Sequence, residues 1–288
     1  MASLVKELIE AGIHFGQRRS NWNPKMRPYI HSMRSGIHII DIKETIKGLL
    51  LAKKFISKVS AEGKDVVFVG TKRQARSAIE ENCVDAKLPY VTERWLGGTL
   101  TNFRTIREQL KRLIQLESLV ESGEIKTYSK KMESQLMREM RKIHRNLNGI
   151  RNMSKLPGAL VAIDVNRESN ALREARNLGI PTICLIDTDG DPEYADIPIP
   201  GNDDSMRSID VVVRELCAAV VDGRAMRPQK DETPKGEGAE GGEGGDAAPA
   251  RRRSSRAKFR ADEPAPAPAA PTEPTESNDQ EVPAATDG

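Results

Sequence analysis

The chain has 288 residues, 45 of them basic and 42 acidic, for a formal net charge of +3. Its cysteines, Cys83, Cys184 and Cys217, stand far apart among apolar residues. That spacing excludes a disulfide frame or a cysteine-built zinc site and reads as buried free thiols in a reducing compartment. No apolar run approaches membrane length, and Lys6, Glu7 and Glu10 interrupt the stretch a secretory leader would need, so the expectation is a cytoplasmic chain without a membrane partner.

Near-neutrality hides a split. From Gly223 onward there are 10 basic and 13 acidic residues, which leaves 35 basic and 29 acidic in residues 1–222. A basic body with a separate mixed-charge tail fits a polyanionic partner.

In chain order, residues 3–11 read as a short amphipathic helix with Leu4, Val5, Leu8 and Ile9 inward. Gly12 ends it. From Ala11 to Ile40 there is no acid, while Arg18, Arg19, Lys25, Arg27 and Arg34 alternate with Trp22, Tyr29 and three histidines. Asn21–Pro24 and Ser35–Gly36 break regular structure, so the segment reads as exposed loop before a strand at Ile37–Ile42. Bases, amides and flat rings on loops suit phosphate and sugar contact, with the rings available for stacking. The competing reading is a solvated basic surface with Trp22 packed on the core.

A helix at Lys43–Ser60 precedes the continuous apolar run Asp65–Val69, the pattern of a strand buried on both faces of a parallel sheet. A helix over 73–83, a short strand at Pro89–Thr92, and strands at Ala159–Val165 and Thr182–Ile186 follow, the last two separated by a helix over Ser169–Leu178. A loop rich in Asp, Pro and Gly spans 187–204, and the last helix spans 205–222. Alternating strands and helices with short connections imply a parallel sheet covered by helices.

Between these halves the pattern changes. Phe103, Ile106, Leu110, Leu113 and Val120 step by threes and fours, with Glu117 at one seam position. Leu136, Met140, Ile143, Leu147 and Ile150 do the same. Two such stripes joined by a polar turn predict an antiparallel helical coiled-coil hairpin, each arm reaching roughly 30 Å; the competing reading is two core helices of the same domain. The expected organisation is an α/β body over 1–102 and 152–222, an inserted hairpin over 103–151, and a disordered tail over 223–288. In that tail, Gly-Glu and Ala-Pro repeats cannot bury enough surface to offset chain entropy. The island Arg251–Arg256 is the one part of it suited to nucleic acid.

Three constellations match enzyme or metal-site motifs only in part. Val69–Arg73 occupies the place of a phosphate loop but matches neither glycine-rich signature, and reads as a tight turn ahead of a basic helix beginning at Arg73. Asp187-Thr188-Asp189-Gly190-Asp191 is similar to the start of haloacid-type phosphatases, whose first Asp is the nucleophile. Such enzymes carry most of their core downstream, whereas one helix follows here. A calcium loop would need a bidentate Glu where Pro198 stands. No cofactor, metal or catalytic residue is expected. The alternative from another class is a phosphotransferase using Asp187 and Asp189.

Several motifs then converge. Ala11–Gly16, Trp22–Met26, Ile37–Asp41, Arg94–Phe103, Pro157–Gly158 through Asp164 with Glu168 and Glu174, and Ile199–Asp204 together resemble the bacterial ribosomal protein S-two family of the small subunit. The resemblance runs in order over roughly residues 3 to 225. Gln17 stands where many members have His, and Asp189 where Asn is usual. The resemblance implies a flavodoxin-like sheet with a helical coiled coil and no catalysis. It implies binding to small-subunit rRNA between head and body, recruitment of ribosomal protein S-one, neighbouring small-subunit proteins as partners, and a ribosome-bound location in the cytoplasm. On the residues themselves, the expected RNA contacts come from the acid-free stretches. They are Arg18, Arg19, Trp22, Asn23, Lys25 and Arg34; Arg94, Trp95, Arg104 and Arg107; Arg141, Lys142, Arg145 and Arg151; and Arg73 at its helix start.

Overall fold

Three runs buried at every position form the centre of the protein: β4 (Val66–Val69), β6 (Ala159–Ile163) and β7 (Thr182–Ile186). The computed structural model describes residues 2–227. The expectation for residues 228–288, including Arg251–Arg256, lies outside the described residues. With β5 (Tyr90–Val91) and β8 (Ile197–Pro200), the central strands make a five-stranded parallel sheet in the order β5-β4-β6-β7-β8. Counted along the chain that order is 2-1-3-4-5, the flavodoxin-like arrangement with its switch point between β4 and β6.

Because strand residues alternate faces, the sheet divides its apolar side chains between two cores. Val66, Phe68, Val161, Ile163, Ile183 and Leu185 face one core. Helices α1 (Ala2–Glu10), α2 (Ile42–Ala61), α3 (Arg73–Asp85) and α7 (Met206–Ala225) cover it. Val67, Val69, Leu160, Ala162, Cys184 and Ile186 face the other, with α6 (Ser169–Asn177) and the roots of α4 (Phe103–Glu121) and α5 (Lys130–Leu147). α2 approaches β8 so closely that a Cβ on Gly48 would sit 2.5 Å from the Pro198 carbonyl oxygen. The three cysteines are free and buried.

Several expectations need correction. The acid-free N-terminal segment is not mainly loop. It forms a three-stranded antiparallel sheet, β1 (Phe15–Arg18), β3 (Ile37–Ile40) and β2 (Ile30–Arg34), with β3 central. Both pairings shift register, and β2 is largely exposed, so no two-residue alternation marks β1 or β2. β8 falls inside the predicted 187–204 loop, because Pro198 and Pro200 argue against a strand. α7 also continues past Asp222 to Ala225, into the range assigned to the tail.

α4 and α5 pack on each other, joined by a turn in which Gly123 takes φ +76° and Ser129 caps α5 by accepting from the Met132 N–H. Leu110, Leu113 and Leu116 bury the α4 side of the seam. Leu116, not Glu117, fills the position the stripe assigned to the acid. Glu117 stands beside the seam and takes a two-pronged ion pair from Arg151. α5 stops at Leu147, and Asn148–Ile150 is a separate 3-10 turn rather than the end of the helix. The seam also joins the second core of the sheet: Ile106, Leu110, Ile143 and Leu147 belong to one apolar cluster with Val69, Val91 and Leu160.

Candidate nucleic-acid interface

The carboxyl ends of β4, β6, β7 and β8 converge on a crevice, the place where doubly wound sheets bind ligands. Here the chain fills it with its own groups. Lys72, just after β4, places Nζ 2.6 Å from Asp203 and from Asp204 and 3.6 Å from Asp164. Glu168 accepts from the Thr71 N–H and hydroxyl, both at 2.7 Å, so a carboxylate occupies the amide that a phosphate would use. Asp187, Asp203 and Asp204 bring carboxylate oxygens within 4.8 Å of one another, a spacing compatible with a cation. Two groups already serve these acids, the Lys72 ammonium and the Gln17 side-chain amide, which donates to Asp187 at 3.2 Å and to Asp204 at 2.6 Å.

Burial pushes the Asp187 carboxyl up to about 7, opposed by the Thr188 N–H it accepts. Burial likewise pushes Asp203 up to about 8, reinforced by Asp164 and opposed by Lys72. Burial lowers and the surrounding acids raise the affinity of Lys72 for its proton; the acids prevail, and it stays charged. Asp187 is 2 % exposed and tied on both oxygens, and Asp189 accepts from Asn166. Neither is presented as a nucleophile, and the phosphotransferase reading gains no support.

The basic residues divide differently. Arg18, Arg19 and Arg34 stand exposed on and beside β1 and β2, and among the described residues none meets a carboxylate. Arg73 and Arg94 are likewise exposed and unpaired among the described residues. On α5, Arg141, Lys142 and Arg145 border one open groove together with Arg138. The acid-free criterion missed Arg138, because Glu139 follows it in sequence; helical spacing recovers it.

The remaining predicted contacts have other partners. Lys25 reaches Asp191 at 2.8 Å and Glu193 at 2.6 Å. Asn23 accepts from the Lys25 N–H and donates its own N–H to the Thr188 carbonyl, so it builds a turn. Trp22 is half-buried against His38, ring centroids 5.1 Å apart. Trp95 is buried, and its indole N–H donates to Glu174, which also accepts from the N–H groups of Gly98, Leu100 and Thr101. Trp95 is therefore not positioned as a stacking surface. Arg104 pairs with Glu108 at 3.5 Å, Arg107 donates to the Ser154 carbonyl, and Arg151 is held by Glu117.

The model of the family described as Ribosomal protein S2 matches residues 8–223. A small ribosomal subunit protein uS2 of Rhodopirellula baltica is 55% identical over 236 residues, covering 82% of this chain and 90% of that one. Proteins of the same name from Coprothermobacter proteolyticus and Syntrophobacter fumaroxidans are 44% and 45% identical, covering 77% and 76% of this chain and 83% and 80% of theirs. With its parallel sheet in flavodoxin order and its self-filled crevice, the chain belongs to the ribosomal protein S2 family, a family of structural proteins of the ribosome and not of enzymes.

Proposed function

We propose that this protein is a cytoplasmic, ribosome-bound constituent of the small subunit that holds rRNA between head and body and supports recruitment of ribosomal protein S-one. The observation that carries the RNA reading is the set of exposed cations that meet no carboxylate among the described residues: Arg18, Arg19 and Arg34 on the N-terminal sheet, and Arg141, Lys142 and Arg145 on α5. An exposed cation without an acid neighbour is free to displace counterions from phosphate, and phosphate contact fixes position while leaving base identity unread. Arg73 and Arg94, exposed and without a carboxylate among the described residues, add to these cations. Lys25, Trp95 and Arg151 support them indirectly by holding loops. The helical hairpin acts as an arm, with its own seam, on an α/β body over 1–102 and 152–222.

Co-sedimentation with small subunits assembled without this protein tests the reading. The wild-type chain should bind stoichiometrically, and Arg18→Ala/Arg19→Ala/Arg34→Ala should bind more weakly with an unchanged Tm. Equal binding by the triple variant would remove the N-terminal sheet from the interface. Subunits lacking this protein should also lose ribosomal protein S-one and regain it when the chain is restored. Retention of S-one without this chain would refute the recruitment role.

A further inference from the structure

The outward side of α5 carries a ridge of cations. At about 100° per residue, Lys131, Arg138, Lys142 and Arg145, flanked by Arg141, share one side of the helix, and the seam residues Leu136, Met140, Ile143 and Leu147 lie opposite. All five cations are exposed. The helix has two acids, Glu133 and Glu139, and both fall off this side; Glu139 is taken up by Arg112 of α4 at 3.2 Å. Arg138 reaches only the Ser134 hydroxyl and Arg141 only the Met137 carbonyl of its own helix. Among the described residues no carboxylate neutralises the ridge, which runs for about 21 Å.

Two features set the class of RNA. α5 contains no Phe, Tyr or Trp, and His144 falls off this side, so the ridge offers unpaired bases no aromatic platform of the kind single-strand binders use. Its charges are also mounted on a helix braced by the seam and cannot follow a flexible strand. A rigid row of point charges without stacking partners matches a rigid row of phosphates. We infer that the outward face of α5 docks on the phosphate backbone of an RNA duplex and recognises its A-form shape. This rests on the RNA-binding reading above and assigns one structural class of RNA to one face.

The test uses the full chain and two probes, an RNA duplex of about 16 base pairs and a single strand of the same length. Fluorescence anisotropy over a salt series gives affinity and slope for each. The quadruple variant Arg138→Gln/Arg141→Gln/Lys142→Gln/Arg145→Gln keeps helix-forming side chains while removing charge. It should lose duplex affinity at least about tenfold, with the salt slope falling by about 3, while single-strand affinity stays within about twofold. Arg138→Lys/Arg141→Lys/Arg145→Lys should retain both duplex affinity and slope, because point charge is what acts. Unchanged duplex binding in the quadruple variant, or equal loss for both probes, overturns the inference. Loss of duplex binding in Arg18→Ala/Arg19→Ala/Arg34→Ala alone would keep the RNA reading and move the duplex site to the N-terminal sheet. A wild-type chain that binds neither probe at low salt would sink the RNA reading and this inference together.

Discussion

The carboxyl-end crevice and the outward side of α5 both concentrate charge, and they use it in opposite ways. In the crevice one lysine, Lys72, answers three aspartates, and Gln17 donates to two of the acids there, Asp187 and Asp204. On the outward side of α5 five cations face solvent, and the two acids of the helix, Glu133 and Glu139, lie off that side. The first arrangement pairs the Lys72 ammonium and the Gln17 amide within the protein, although the fold puts its ligand site there. The second leaves its donors open. Charge density alone does not separate the two; what does is whether the charge meets an acid partner among the described residues.

The comparison breaks most directly at Lys72. Lys72→Met strands Asp203 and Asp164 without their cation and, above pH 8 where Asp203 is ionised, should cost about 3–5 kcal/mol, read by urea unfolding. A loss below about 1 kcal/mol would mean the crevice is not held by that pair. Next comes the support beneath the ridge: Leu113→Ala empties a fully buried seam position and should cost about 2–5 kcal/mol. Hydrogen exchange should then rise in α4 and α5 while β4, β6 and β7 stay protected. Exposure of all five segments together would show that arm and body are one cooperative unit.

Glu174→Ala removes the acceptor for three backbone N–H groups and the Trp95 indole and should cost roughly 2–4 kcal/mol, with Glu174→Gln milder. Its carboxyl is held below the usual range: burial, the largest effect, opposes ionisation, and the four N–H donors together prevail. The stability Glu174 contributes is present above pH 4.5 and is lost as pH falls through its lowered value.

Asp187 and Asp203 give the opposite slope. Both are raised, to about 7 and about 8, so above the unfolded value of 3.8 the native state binds the extra protons. Their contribution to stability falls as pH rises toward 8. Burial lowers His14, which gives a rising slope only below 6.5, so the window between pH 6.5 and 8 isolates the acids. Unfolding free energy should decline across that window, and Asp203→Asn should flatten the decline. A rising curve would contradict the buried-acid account. The smallest effect is expected at Lys25. Its ammonium is already shared by Asp191 and Glu193, so Lys25→Ala should weaken RNA binding less than Arg18→Ala in the same anisotropy assay, with little change in Tm.

Legibility in the sequence follows the range of the interactions. β4, β6 and β7 are readable because strands covered on both faces are apolar throughout, and the seam because its period is local. β1 and β2 are not, since antiparallel edges with register shifts show no alternation, and β8 is masked by its prolines. Among candidate contacts, Arg18, Arg19 and Arg34 stand as open as their acid-free setting suggests. Lys25 and Trp95 do not, because the acids that engage them, Asp191 and Glu174, lie 166 and 79 residues away in sequence. A long-range partner leaves no mark near the residue it neutralises. The phase of the seam is off by one at Glu117, since only burial distinguishes it from Leu116.

The docking of the N-terminal sheet has a consequence for the order in which the protein matures. β1 and the turn after it are fastened by Gln17 to Asp187 and Asp204, by the Asn23 N–H to Thr188, and through the Ile13 carbonyl to Asn202. Every one of these anchors lies near the end of the folded body. At about 5–20 residues per second, the ribosome that makes this chain extends it for roughly 10–40 s after Arg18 and Arg19 emerge before Asp204 is available. For that interval this basic stretch lacks the residues that anchor it. The N-terminal sheet can therefore take up its docked position only when synthesis of the body is nearly finished.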